Sequence, residues 1–359
     1  MGHGRCGGFT RYAGRRQVAQ PAPFSAHWRM RSEESCSSTT ATGMPRDWRG
    51  AALPTKVDLL PFERGVNVSR LLDVPQVLQP AISANAAERD LEPCAGDLWV
   101  LSWDGRYLGL AMIAAVKPDY VLAWPVTLPS DLAFAPALVL EQSPIGSPLT
   151  LWPTREIGMG MHLLHQPLGR LLDAKRIQPI AWALEDGENP GLPFASGSAS
   201  DEANRDADEE FVNRWTDLCF HVWPSHSHRF LSESKIKNLG GSAAKAAKVL
   251  GLTPPLLRPL WTGVTPATEE QVQALATGLG FEVADILGED PLARVTRRIA
   301  HPQFKQPLVD LADARQWSEE MARDSTRENY ALAARDDSRT VVDQRIVDAI
   351  KRCQGTSTP

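Results

Sequence analysis

The sequence predicts a multidomain α+β protein in which a small β barrel is followed by an all-α domain. Three observations carry that expectation. Short runs rich in Val, Leu, Trp and Tyr follow one another closely between Asp97 and Trp152, with turn signals separating them. A stretch of Gly, Pro, Asp and Glu over 186–210 then interrupts the apolar pattern. Beyond it the apolar period becomes helical to the end of the chain.

Composition bounds the answer before any element is placed. With 359 residues, 43% of them hydrophobic and 23% charged, the chain has room for two or three buried cores. The formal net charge of −5 gives no overall basic field, so nucleic-acid binding would require a local patch. Five cysteines (Cys6, Cys36, Cys94, Cys219, Cys353) are dispersed, with no short C-x-x-C pair. That usage fits thiols in a reducing compartment and predicts a cytoplasmic protein. No apolar run approaches the roughly 18 residues that a membrane span needs.

In chain order, 1–45 reads as a disordered tail. It carries Arg5, Arg11, Arg15, Arg16, Arg29 and Arg31 with little apolar periodicity, and Met44 is an alternative start. Residues 46–95 read as short helices and loops, with Pro75 and Pro80 breaking the helical spacing of Leu71, Leu72, Val77, Leu78 and Ile82. The barrel domain is expected over 96–185. Its strands are 97–101, 107–116, 120–126, 137–141 and 149–152, separated by Asp104-Gly105, Lys117-Pro118-Asp119, Pro129-Ser130-Asp131 and Ser143-Pro144. Residues 165–172 read as a capping helix, and 177–184 as a further strand or short helix. The acidic stretch 186–210 reads as a flexible linker, 211–296 as the all-α domain, and 297–359 as C-terminal helices.

The most informative stretch runs from Gly241 to Gly288. Ser242 can cap a helix in which Ala243, Ala246, Ala247 and Leu250 form an apolar stripe. Gly251 supplies a sharp turn, Thr253 is an N-cap residue, and Pro254 at the first helical position loses no needed hydrogen bond. Leu256, Leu257 and Leu260 give this second helix an apolar face. Thr268 with Gln271 makes a capping box for a helix through Leu279, and 282–287 makes a last turn.

This order of helices and turns, over about 233–289, resembles the lambda-repressor-like, Cro-type helix-turn-helix family. The matching residues are Ala246-Ala-Lys-Val-Leu-Gly-Leu-Thr253, Trp261-Thr-Gly263, Pro266-Ala-Thr268 and Leu275-Ala-Thr-Gly-Leu-Gly-Phe281. The resemblance implies binding of double-stranded DNA and regulation of transcription, with the second helix entering the major groove. Residue by residue it puts Thr253 and Arg258 at base edges and Lys245 and Lys248 on phosphates. Lys235, Lys237, Lys245, Lys248 and Arg258 lie in a run from Ser234 to Thr268 that has no Asp or Glu. Pro259 inside the second helix deletes a backbone hydrogen bond, and Trp261 stands where the family usually carries an acid. The C-terminal helices, with apolar Val342, Ile346 and Ile350 on one stripe, are expected to pack or to form a homodimer, charges of both signs lying on their outer faces.

A second resemblance covers about 96–172. Gly96-Asp-Leu-Trp-Val-Leu101 and Val121-Leu-Ala-Trp-Pro-Val-Thr127 look like the SH3-like barrel of the MazF/PemK toxin family. It implies metal-independent RNA cleavage, with Arg106 stabilising phosphate charge and Thr127 holding a neighbouring oxygen, in a toxin–antitoxin-like or defence setting. Trp99, Trp103, Trp124 and Trp152 read as core and rim of the barrel rather than as stacking platforms.

Other constellations point to no cofactor and no metal. Cys219, His221, His226 and His228 are the densest soft-ligand cluster, but their spacing is not that of a zinc finger. Gly158-Met-Gly-Met161 lacks the Lys and Ser/Thr of a phosphate loop. Three functions therefore stand side by side: a DNA-binding regulator, an RNA-cutting barrel with a fused helical domain, and a protein-binding scaffold.

Overall fold

In the computed structural model, residues 71–84, 92–131, 133–198, 201–224, 229–333 and 342–355 are described. The expected N-terminal tail, most of 46–95, and His226 and His228 lie outside these residues. The described segments all belong to the unit Asp58–Pro359.

A 3-10 turn (Gln76–Leu78) runs into the short α1 (Gln79–Ala84). The sheet follows. β1 (Asp97–Trp103) and β2 (Arg106–Val116) flank Asp104-Gly105, both at positive φ as a tight hairpin requires. β3 (Tyr120–Thr127), β4 (Leu138–Leu140), β5 (Leu149–Leu151), β6 (Ile157–Gly160) and β7 (Leu164–Arg170) complete an antiparallel sheet in the order β4-β5-β3-β2-β1-β7, with β6 also paired to β3. No pairing joins β4 to β7 among the described residues. The expected barrel is therefore met in coarser form, as a curled half-barrel within a mixed α+β fold.

The central strands are buried on both faces, which explains why they read as nearly continuous apolar runs. Leu98, Val100, Leu110, Met112, Trp124 and Val126 face one core, shared with Leu78 and with Ile177 and Ile180 of α2 (Ala174–Glu185). Trp99, Leu101, Ala111, Ile113, Val121 and Ala123 face the other, shared with Trp215 and Leu218 of α3 (Glu202–Phe220). Trp99, Trp124 and Trp152 are fully buried, in keeping with a core role.

Two expectations are corrected here. The expected capping helix over 165–172 is instead strand β7, which ends at Arg170. Pro167 and Gly169 sit where the ladder shifts register, with Leu98 opposite Gly169 and Trp99 opposite Pro167. Pro is tolerated because β7 pairs on one side only. The supposed flexible linker 186–210 ends in the first turns of α3. Asp206, Glu209 and Glu210 are exposed and Asp208 accepts from Arg155 at 2.9 Å, while the later turns bury Trp215 and Leu218 against the sheet.

After α3 come β8 (Phe230–Leu231), α4 (Glu233–Asn238), α5 (Ala243–Leu250), α6 (Pro254–Trp261), α7 (Glu269–Leu279), α8 (Val283–Ile286) and β9 (Leu287–Gly288), with β9 pairing back to β8. Then follow α9 (Ala293–Ile299), α10 (Lys305–Arg315), α11 (Glu319–Ala333) and α12 (Val342–Gly355). The apolar stripe of the C-terminal helices, expected to pack or to form a homodimer, packs within the chain. Ile346 and Ile350 are buried with Phe304, Leu308 and Leu311, and Val342 packs against the same cluster. Among the described residues no helix is long and apolar enough to cross a membrane.

Sheet and C-terminal helices meet at a buried charge cluster. Lys305 Nζ donates to both carboxylate oxygens of Glu319 at 2.7 and 2.9 Å, and to the carbonyls of Ser102 (2.8 Å) and His162 (2.9 Å). Arg323 donates to the same carboxylate and to the carbonyl of Ile299. Asp104, in the β1–β2 turn, accepts from the Glu319 backbone N–H at 2.6 Å. All three charged side chains have 0–1% exposure. One carboxylate thus serves two cations. Burial alone would raise the Glu319 carboxyl, but Lys305 and Arg323 hold it below its usual range. The Lys305 ammonium, pushed down to about 8 chiefly by burial, is the under-compensated partner. Two turns further along α11, the buried Arg327 bonds the Val264 carbonyl and Asp290, and Glu328 accepts from Thr265. One helix therefore joins the sheet to the α4–α8 unit.

Candidate nucleic-acid interface

The α4–α8 unit forms because its start and stop signals are local and mutually consistent. The Ser242 hydroxyl accepts from the Lys245 N–H, and Gly251 takes a left-handed φ of 65° that turns the chain from α5 into α6. Thr268 and Gln271 complete a reciprocal capping box at α7, and Gly280 ends that helix in the left-handed region. Ile236, Ala246, Leu257, Leu260, Trp261, Val272, Leu275 and Ile286 fill the core. α5 and α7 approach closely at Gly278, where an added Cβ would lie 2.7 Å from the Val249 side chain.

The four residues predicted for DNA contact are all exposed, but the three cations are divided between two clefts and Thr253 lines neither. Lys245 and Lys248 on α5 line a cleft of about 520 Å³ with Val249, Gly278, Leu279 and Phe281. Lys245 Nζ donates to the Gly240 carbonyl at 3.3 Å. Arg258 lies in a separate cleft of about 440 Å³ between α6 and α11, walled by Pro254, Pro255, Pro259, Val264, Ala331 and Leu332. Thr253 stands at the start of α6, and its side chain makes no capping bond. Leu256 is 63% exposed on the same helix, which runs through Pro259 to the buried Trp261.

The basic face also has an acid beside it. The Glu233 carboxyl is held below its usual range by a hydrogen bond from Lys237 first, then by one from Trp261, with the charge of Arg258 contributing. The acid-free run starts one residue later, at Ser234, so a window widened by a single residue would have shown this neighbour.

The residues implied by the second resemblance are not brought together. Thr127 is 3% exposed, and its hydroxyl accepts from the Trp152 indole at 3.0 Å. Arg106 lies at the opposite end of the β2 ladder, 3.6 Å from Asp73. Leu110 pairs with Val126, which leaves Arg106 four residues further along β2, roughly 13 Å of strand. Cys219 and His221 sit at the end of α3, and among the described residues no group of three potential metal ligands gathers. Comparison with protein-family models, with curated proteins and with solved structures gives no match.

Proposed function

We propose that the chain binds double-stranded DNA through the α4–α8 unit and acts as a regulator of transcription. The observation that carries this reading is the exposure of Lys245, Lys248 and Arg258 on two helices that meet at the Gly251 turn, within a stretch of chain that has no Asp or Glu from Ser234 to Thr268. The lysines supply phosphate contacts, which give affinity without sequence information, and Arg258 is the side chain best suited to a guanine edge. Fluorescence anisotropy of labelled duplexes across a salt series tests it. Affinity is expected to fall steeply with salt, and Lys245→Ala with Lys248→Ala should flatten the log–log slope by about 1.8, roughly 0.9 per lost phosphate contact. Arg258→Ala should cost about 1–3 kcal/mol on the preferred sequence. Duplex binding that is absent at low salt would sink the reading.

A protein-binding role is the second reading, and a specific observation favours it. The cleft holding Arg258 is walled by three prolines and Leu332, with Leu256 exposed beside it. Such a surface offers apolar contact and one cation, and few donors for base edges.

A further inference from the structure

The buried charge cluster contains two histidines that the proposed DNA reading does not use. His162, in a 3-10 turn (Met161–Leu163) between β6 and β7, is 2% exposed. Its Nε2 lies 3.2 Å from Nδ1 of His221, the residue that ends α3. The Trp103 ring meets both imidazoles edge-on, at centroid distances of 5.2 and 4.5 Å. On that same ring lie the Lys305 ammonium at 5.1 Å and the Arg323 guanidinium at 5.6 Å.

We propose that the His162–His221 pair is an acid-operated latch: proton uptake by the two imidazoles, held against Lys305 and Arg323, releases α10 and α11 from the sheet. This goes beyond DNA binding and does not depend on it.

In a neutral pair one ring nitrogen donates and the other accepts. A proton on the accepting nitrogen sets two N–H groups face to face, and the bond is lost. The surrounding charges then decide the outcome. The charged groups around the pair are Asp104 from the β1–β2 turn, Lys305 from α10, and Glu319 and Arg323 from α11. At neutral pH these are two cations and two carboxylates. Both carboxylates are already committed, Glu319 to Lys305 and Arg323, and Asp104 to the Glu319 N–H. Two more protons would make four cations against the same two acids, in a site closed to water on the His162 side.

The sign follows from burial. Both imidazoles are held below their usual range. Burial is the main cause for each, with the charges of Arg323 and Lys305 adding to it at His162 and that of Lys305 at His221. In the released state they would titrate near 6.5. The closed arrangement is therefore fully favoured above about pH 6.5 and is lost progressively as pH falls below it. Each histidine that gains a proton on opening makes the opening constant about tenfold more favourable per pH unit, so the pair gives up to about 100-fold. His301, which follows α9 and pairs with Glu92 at 2.6 Å, is a separate group that the test must separate from these two.

Amide hydrogen exchange of the full chain between pH 7.5 and 5.5, corrected for intrinsic rates, reads the latch directly. Residues 305–333 are expected to lose protection steeply below pH 6.5 while β1–β3 stay protected. The half-buried position permits His221→Asn, which should reduce the steepness from about 100-fold to about tenfold per unit, whereas His301→Asn should leave it unchanged. Protection of 305–333 that is flat across this window, or lost together with that of the sheet, overturns the proposal. So does an unaltered slope in His221→Asn. Because the readout is exchange, duplex binding could fail without touching this result, and the reverse also holds.

Discussion

Glu319→Gln is expected to destabilise the protein by about 3–5 kcal/mol, the usual cost of removing one partner from a buried ion pair. The amide keeps the shape of the side chain and removes its charge. Lys305 and Arg323 would then sit at 0–1% exposure with no carboxylate between them, and the new NH₂ group would face their own N–H donors. Their bonds to the carbonyls of Ser102, His162 and Ile299 would survive, but neutral acceptors do not replace the lost charge. Urea unfolding should show the midpoint falling by roughly 1–2 M at a slope of about 2–3 kcal/mol per M. A triple change, Lys305→Met with Glu319→Leu and Arg323→Met, should cost far less than the single one. Desolvation of the charges offsets most of their attraction, so an apolar replacement of similar volume gives up little. A single variant within 1 kcal/mol of the parent would mean that water reaches the cluster.

Gly96→Ala is expected to be nearly as damaging, at about 3 kcal/mol or more, for a reason that involves no charge. Gly96 has φ +93°, and a Cβ there would stand 2.0 Å from the Leu172 carbonyl oxygen. The residue cannot move away freely. Its N–H donates to Ile113, and its carbonyl accepts from both Leu171 and Leu172, which ties the start of β1 to the end of β7. Alanine would bring both left-handed strain and a backbone collision, and relief would break those bonds. Gly105, at φ +68° with nothing within 4 Å of a would-be Cβ, is the control. Its alanine variant should cost only about 1 kcal/mol. Thermal unfolding of the two variants side by side checks the difference.

What was legible in the sequence was what is decided locally. The strands from Asp97 to Leu151 and the helices from Ala243 to Ile286 fall close to their expected limits. Their signals, such as Asp104-Gly105 or Thr268 with Gln271, act within four residues. β7 was misread because Pro167, Gly169 and a register shift spoil the alternation that marks a strand. The acids of 201–210 suggested a linker because the apolar half of α3 lies further on, at Trp215 and Leu218. The charges of α11 were expected on an outer face, since four-residue spacing fits a solvated stripe as well as a buried one. Only partners far along the chain decide between them: the Glu319 carboxylate accepts from the Asp104 N–H, 215 residues away, and Arg323 reaches the His162 carbonyl, 161 residues away. The candidate interface was legible as exposed basic residues, but not as two clefts. One wall of the Arg258 cleft comes from Ala331 and Leu332, outside the stretch that suggested the interface.

The anchors of α11 have a consequence for how this chain can vary. Glu319, Arg323 and Arg327 stand at four-residue steps along one helical face, the first two gripping the sheet and the third the α4–α8 unit. An inserted residue between Arg323 and Arg327 would swing the last anchor by about 100° and shift it by about 1.5 Å. Val264 and Asp290 would then face a different side chain. The helix works as a gear with fixed teeth: even a whole added turn, which restores the direction, would carry the last anchor about 5.4 Å along the axis and away from both partners, whereas loops on the surface accept insertions.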